Sequence, residues 1–167
     1  MENTNRELLF KEIVTHHKDK VYRICHAYLY ERDLVDDLYQ DVLINIWNGL
    51  KNFKGNAQLT TWLYRVTLNT TITFNKKNKK HQQIIRRGVP ESIAETIDTN
   101  TTEQEHKISK LMQCIQLLKK EERIIISLVL EELSYKEIAD ILGIEISNVG
   151  VRINRIKKKL LKIYNNE

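Results

Sequence analysis

Apolar residues recur at intervals of three and four along most of this chain, and that spacing admits one class of secondary structure. Leu9, Ile13, His17, Val21, Ile24 and Tyr28 form one series; Val35, Leu38, Val42 and Ile46 form a second that runs on to Trp47. Side chains three and four apart share one face of an α-helix, so each series describes a helix with a single buried side. The 167 residues include one proline and five glycines, too few for the tight turns of a sandwich or barrel. The expected fold is all-α.

Breaks in the period mark the elements. Asp33 offers an N-cap ahead of Leu34, and the stretch Gly49 to Gln58 interrupts the pattern. Thr60 or Thr61 then caps a third helix through Trp62, Leu63 and Val66 to about Phe74. Charge then segregates: Lys76 to Pro90 holds six basic residues and no acidic one, and Glu91 to Glu105 five acidic and no basic one. Blocky charge with weak periodicity reads as a flexible linker, with room for a short helix near Ser92 to Thr96. From His106 the helical period returns. Ile108, Leu111, Met112, Ile115 and Leu118 form an apolar stripe, and a helix from Glu121 or Glu122 carries Ile124, Ile125, Leu128 and Val129. The expected organisation is two small helical domains, 1–75 and 106–167, joined by a linker at 76–105.

Several classes of function drop out. No run approaches the roughly 20 apolar residues that cross a bilayer, and the first ten residues lack the apolar core of a signal peptide. Cys25 and Cys114 give neither a disulfide framework nor a metal spacing, and His16, His17, Cys25 and His26 fit no zinc pattern. No phosphate loop, HExxH or nucleophile elbow occurs. A cytoplasmic, non-enzymatic protein without metal or cofactor is expected.

The net charge of +5 is modest; its placement is more informative. Ser134 followed by Glu137 is a capping box, opening a short helix with Ile138, Ala139 and Leu142 on its buried side. Gly143 suits a left-handed turn, and Ser147 caps a second helix in which Val149, Ile153, Ile156, Leu160 and Ile163 step inward. Between Ile146 and Tyr164 stand six basic residues and no acidic one. A lysine-rich helix is by itself an ordinary solvated surface. Placed after a short helix, a small residue and a glycine at this spacing, it is the second helix of a helix-turn-helix, fit for a major groove. Arg152 is the first candidate to read a base edge, with Ser147, Asn148 and Val151 beside it; Arg155, Lys157 and Lys158 suit phosphate.

The run Asp33-Leu-Val-Asp-Asp-Leu-Tyr-Gln-Asp-Val-Leu-Ile-Asn-Ile-Trp47 resembles region 2.2 of bacterial sigma factors. Phe53 to Asn69 resembles regions 2.3 and 2.4, and Ser134 to Leu160 resembles region 4.2. The resemblance covers nearly the whole chain in family order, with no room for a region 1.1 or a region 3 domain, the pattern of the extracytoplasmic-function group. It implies core RNA polymerase and promoter DNA as partners. Asp36, Asp37, Gln40 and Asp41 would dock on the β′ clamp helices. Lys54, Asn56, Trp62, Arg65 and Asn69 would serve the −10 element, where a flipped base must be rewarded for its lost stacking. The helix-turn-helix would take the −35 element while its domain rests on the β flap. An anti-sigma factor is a further implied partner, and no insertion into a membrane is expected.

Trp62 and Tyr64 carry two readings each, core packing and base contact. Two positions depart from the family: Glu132 stands where relatives often carry glycine, and Gly150 where many carry lysine. A free-standing helix-turn-helix regulator and a helical adaptor are the competing functions. The acidic face at Asp36 to Asp41 together with the Phe53 to Asn69 segment favours the sigma factor.

Overall fold

The structure, a computed structural model, describes residues 2–29, 32–85 and 103–165, with side chains for 5–29, 33–74 and 103–165. Regular structure among them is helical throughout: α1 Glu2–Tyr28, α2 Arg32–Gly49, a 3-10 turn Leu50–Asn52, α3 Leu59–Ile85, α4 Glu103–Gln116, α5 Lys120–Leu130, α6 Tyr135–Leu142 and α7 Ile146–Asn165.

The first unit, α1 to α3, closes on the stripes that the spacing describes. Val35, Leu38, Val42 and Ile46 are fully buried against Ile13, Val21, Cys25 and Leu63. Burial pushes the Cys25 thiol up to about 12, leaving it inert. α3 buries Thr61, Thr67, Thr70 and Thr71. The last three tolerate this because each hydroxyl donates to the carbonyl four residues earlier.

Helix starts differ by one to three residues from the expected caps. Asp33 lies inside the first turn of α2, where its carboxylate complements the positive helix end. The Trp62 amide donates to the Gln58 carbonyl at 3.0 Å, so α3 begins ahead of both Thr60 and Thr61. α3 also continues through Ile85, ten residues past position 75, and α4 begins three residues before His106. The stretch 86–102, with the possible short helix near Ser92, lies outside the described residues, as do the side chains of Lys76, Lys77, Lys79 and Lys80.

In the second unit, α6 has the anticipated boundaries. Ser134 caps it, its hydroxyl accepting from the Glu137 amide at 3.3 Å while the Glu137 carboxylate accepts from the Ser134 amide at 2.8 Å. Gly143 closes the helix with φ +67°. α7 starts earlier than expected: the carbonyl of Glu145 accepts from Val149, so Ser147 is an exposed first-turn residue and not the cap. α4 packs chiefly on α7. Only the C-terminal half of its stripe is covered, with Cys114 and Leu118 buried and Ile108, Leu111 and Met112 exposed.

The two units are in contact. α1 lies against α5 and α3 against α6. Ile24, Tyr28, Tyr64 and Leu68 of the first unit share one apolar cluster with Ile124, Ile125, Leu128 and Ile138 of the second.

Candidate nucleic-acid interface

α7 is built to present one face and bury the other. At about 100° per residue, Val149, Ile153 and Ile156 face inward and are buried, while Ser147, Val151, Arg155 and Lys158 fall on the opposite arc. Ser147, Asn148, Val151, Arg152, Arg155, Lys157 and Lys158 are all exposed. Lys159 is the exception among the basic residues, turning to the Glu122 carboxylate of α5 at 2.7 Å. Burial raises the Glu122 pKa, but the bonds from Lys159 and the Lys119 amide outweigh it and hold the group below its usual value. That pair fixes α7 on α5 and leaves the other cations to solvent. Tyr135, at the start of α6, packs beside Gly150: a β-carbon there would stand 3.6 Å from the ring, an ordinary contact. Nothing in the space around position 150 demands glycine.

The second surface is the segment between α2 and α3. Gly55 holds φ +72° and turns the loop so that Lys54, Gly55, Asn56 and Gln58 are exposed. Trp62 is half-buried, its ring 5.0 Å from that of Phe53 and packed over Gly49. Tyr64 is 2% exposed, and burial pushes its hydroxyl up to about 12; it packs in the core, whereas Trp62 keeps part of its surface accessible. Asn69 is exposed. Arg65 is solvent-accessible yet engaged: its guanidinium donates to the Asp140 carbonyl of α6, from Nε at 2.7 Å and also from Nη2. An open cleft of about 680 Å³ lies between the two units, lined by Asn56, Gln58 and Arg65 on one side and Ser134, Lys136, Glu137 and Asp140 on the other.

The third surface is the outer side of α2. Asp36, Asp37 and Gln40 are exposed and Asp41 half-buried, beside the fully buried Val35–Leu38–Val42 row. The Tyr22 hydroxyl donates to Asp36 at 3.0 Å, orienting that carboxylate.

Sequence reasoning did not single out Arg123, which is 7% exposed. Its guanidinium donates to four main-chain carbonyls: Ala27 at 2.8 Å, Tyr28 at 3.2 Å, Leu118 at 3.0 Å and Gln116 at 3.2 Å. It therefore closes the C-terminal ends of α1 and α4, where carbonyls lack helical partners. Arg23 of α1 makes a second cross-unit link, a two-bond ion pair with Glu131 at 2.5 and 2.9 Å.

Comparison with known proteins identifies this combination. The Sigma-70 region 2 model matches residues 13–81, and the Sigma-70, region 4 model matches residues 108–160. The ECF RNA polymerase sigma factor SigW of Bacillus subtilis is 31% identical, over 92% of this chain and 87% of its own length. RNA polymerase sigma factor YlaC of the same organism is 28% identical over 81% and 82%. Two solved structures share the fold. RpoE of Bartonella quintana, in complex with the anti-sigma factor NepR, gives a TM-score of 0.76 at 20% identity, covering 93% of this chain and 96% of that one. CnrH, in complex with the cytosolic domain of CnrY, gives 0.69 at 18%, covering 96% and 90%. With both family regions in order and helix-turn-helix geometry in the second unit, the chain belongs to the sigma-70 family of RNA polymerase sigma factors, in its extracytoplasmic-function group.

Proposed function

We propose that three separate surfaces of this chain divide the work of promoter recognition. The outer side of α2, with Asp36, Asp37, Gln40 and Asp41, docks on the β′ clamp helices of core RNA polymerase. The loop and first turns of α3 receive the −10 element: Lys54 and Arg65 meet phosphate, Asn56 and Asn69 offer hydrogen bonds to an unstacked base, and Trp62 holds the platform beneath them. The outer arc of α7 enters the major groove at the −35 element, and the second unit rests on the β flap. Arg152, exposed on the flank of that arc, reads a base edge with Ser147, Asn148 and Val151, while Arg155, Lys157 and Lys158 neutralise phosphates.

The observation that carries this reading is the division of α7, whose apolar row is buried while its basic arc stands free on a platform fixed by the Lys159–Glu122 pair. On this reading the chain catalyses nothing itself, holds no metal or cofactor, and works in the cytoplasm. No helix among the described residues is long and apolar enough to cross a membrane. An anti-sigma factor is proposed as a regulatory partner on the likeness to RpoE and CnrH, whose structures each hold a bound partner. Run-off transcription with cognate core polymerase and a library of promoter fragments tests the proposal. Initiation dependent on the chain is the expected result, and the absence of both core binding and initiation would overturn it.

A further inference from the structure

Two rows run along α7 with the same spacing. Val149, Ile153, Ile156 and Leu160 step by four, three and four on the covered side. Ser147, Val151, Asn154 and Lys158 repeat that step on the other side, and all four are exposed. At about 100° per residue the second row keeps to an arc about 60° wide that points away from the core. It is therefore the row that looks into a groove, with Asn148 and Arg152 on one flank and Gly150 on the other. From Ser147 to Asn154 the rise is about 10.5 Å at 1.5 Å per residue, the length of about three base pairs.

Asn154 is the member of that row whose side chain holds a donor and an acceptor in one plane. Among the described residues no hydrogen bond engages that amide; Asn45, by contrast, spends its own on the Thr70 hydroxyl at 3.0 Å. A helical side chain leans toward the N-terminus, over the residues three and four positions before it. For Asn154 these are Val151 and Gly150. Gly150 has no side chain to screen the amide, and Tyr135, 46% exposed, stands on the far side of the opening.

We infer that Asn154 is the adenine-reading residue of α7, and that Gly150 leaves the opening through which its amide reaches the base. In the major groove adenine presents N7 as an acceptor and its N6 amino group as a donor, the complement of Nδ2 and Oδ1 of one asparagine. Guanine presents two acceptors there, which a single amide cannot match. Val151, one turn earlier, sets an isopropyl group beside the amide, suited to the methyl of a thymine. The fold tolerates a β-carbon at position 150, so the use of glycine lies on the outer side, in front of Asn154. The inference rests on the proposed placement of α7 at the −35 element and goes beyond it by naming the base.

Holoenzyme formed from the full-length chain tests it, by competition among promoter fragments that carry each single-base variant of the −35 element. The native chain should prefer A·T at one base pair by about tenfold or more. Asn154→Ala should flatten the preference there and nowhere else. With 7-deazaadenine at that position, which lacks the N7 acceptor, the native chain should lose affinity severalfold and Asn154→Ala should lose none. A merely structural asparagine would not produce that difference. Gly150→Leu should flatten the same position, with circular dichroism showing that its helices remain. Retention of the preference by either variant, or a flattened position with no adenine on either strand, would overturn the assignment. If Arg155→Ala combined with Lys158→Ala leaves promoter binding and its salt dependence unaltered, α7 does not lie on DNA. The proposed placement then falls, and the inference with it.

Discussion

Gly49 and Trp62 are in contact where α2 ends: a β-carbon on Gly49 would stand 2.8 Å from Cζ2 of the indole. The indole cannot easily yield, because Phe53 packs on it as well. Gly49→Ala therefore forces the ring that packs beneath the segment between α2 and α3 to shift. The expected loss is about 1–2 kcal/mol, within the range for overpacked sites, despite the better helix propensity of alanine. Urea unfolding of the two proteins measures it.

Glu132 holds φ +61°, a left-handed conformation that disfavours a β-carbon by about 1–2 kcal/mol. Glu132→Gly should stabilise the chain by about 1 kcal/mol after the greater freedom of glycine in the unfolded state is counted. A thermal melt should rise by about 2–4 °C. Gly150→Ala should add a similar amount, since Tyr135 leaves space for the methyl.

The Ser134–Glu137 box makes α6 sensitive to acid. The Ser134 hydroxyl and amide hold the Glu137 carboxyl below its usual value of 4.5. A lowered folded-state value means that this contribution is complete above the ordinary glutamate range and disappears as pH falls through the lowered value. Ser134→Ala should cost about 1 kcal/mol at neutral pH. Its deficit relative to the native chain should shrink below about pH 4, as paired melts across that window would show.

On promoter DNA, Arg152→Ala should cost about 1–3 kcal/mol at one base pair of the −35 element and relax selectivity there. Lys158→Ala should instead weaken binding equally across sequences and reduce the salt slope by about one. Competition assays with holoenzyme on single-base promoter variants separate the two patterns.

The α2 face proposed to dock on polymerase has its own test. Asp37→Lys combined with Gln40→Ala changes two exposed side chains of α2 without touching the buried row. Core polymerase binding should weaken severalfold or more, as for charges removed from an interface, while the helical spectrum is unchanged. Retained assembly would remove this face from the docking model.

The elements that sequence reasoning located best are those whose signals are local. In α6 and α7 the Ser134–Glu137 spacing, Gly143 and the Val149–Ile163 row each depend on residues within a few positions of one another, and the structure places them accordingly. Helix starts were less legible where a backbone carbonyl, and not a side chain, made the first bond, as at Gln58 and Glu145. The association of the two units was not legible. An apolar row states that it will be covered but not by which partner, and Arg123 in Lys119-Lys-Glu-Glu-Arg looks like part of a solvated charge run. Its role depends on carbonyls nearly a hundred residues away.

Both tryptophans of the chain, Trp47 and Trp62, belong to the first unit, one against Phe10 and the other against Phe53. Intrinsic fluorescence is therefore a local reporter, blind to α4 through α7, whereas far-ultraviolet circular dichroism weighs every helix. Because Tyr64 and Leu68 share their burial with Ile124 and Ile138, the unit that carries the indoles also shelters core residues of the other. A denaturant titration followed by both signals thus measures how far the two halves melt as one cooperative body. Superimposed curves mark a single transition, and a gap between them gives the free energy by which each half stands alone.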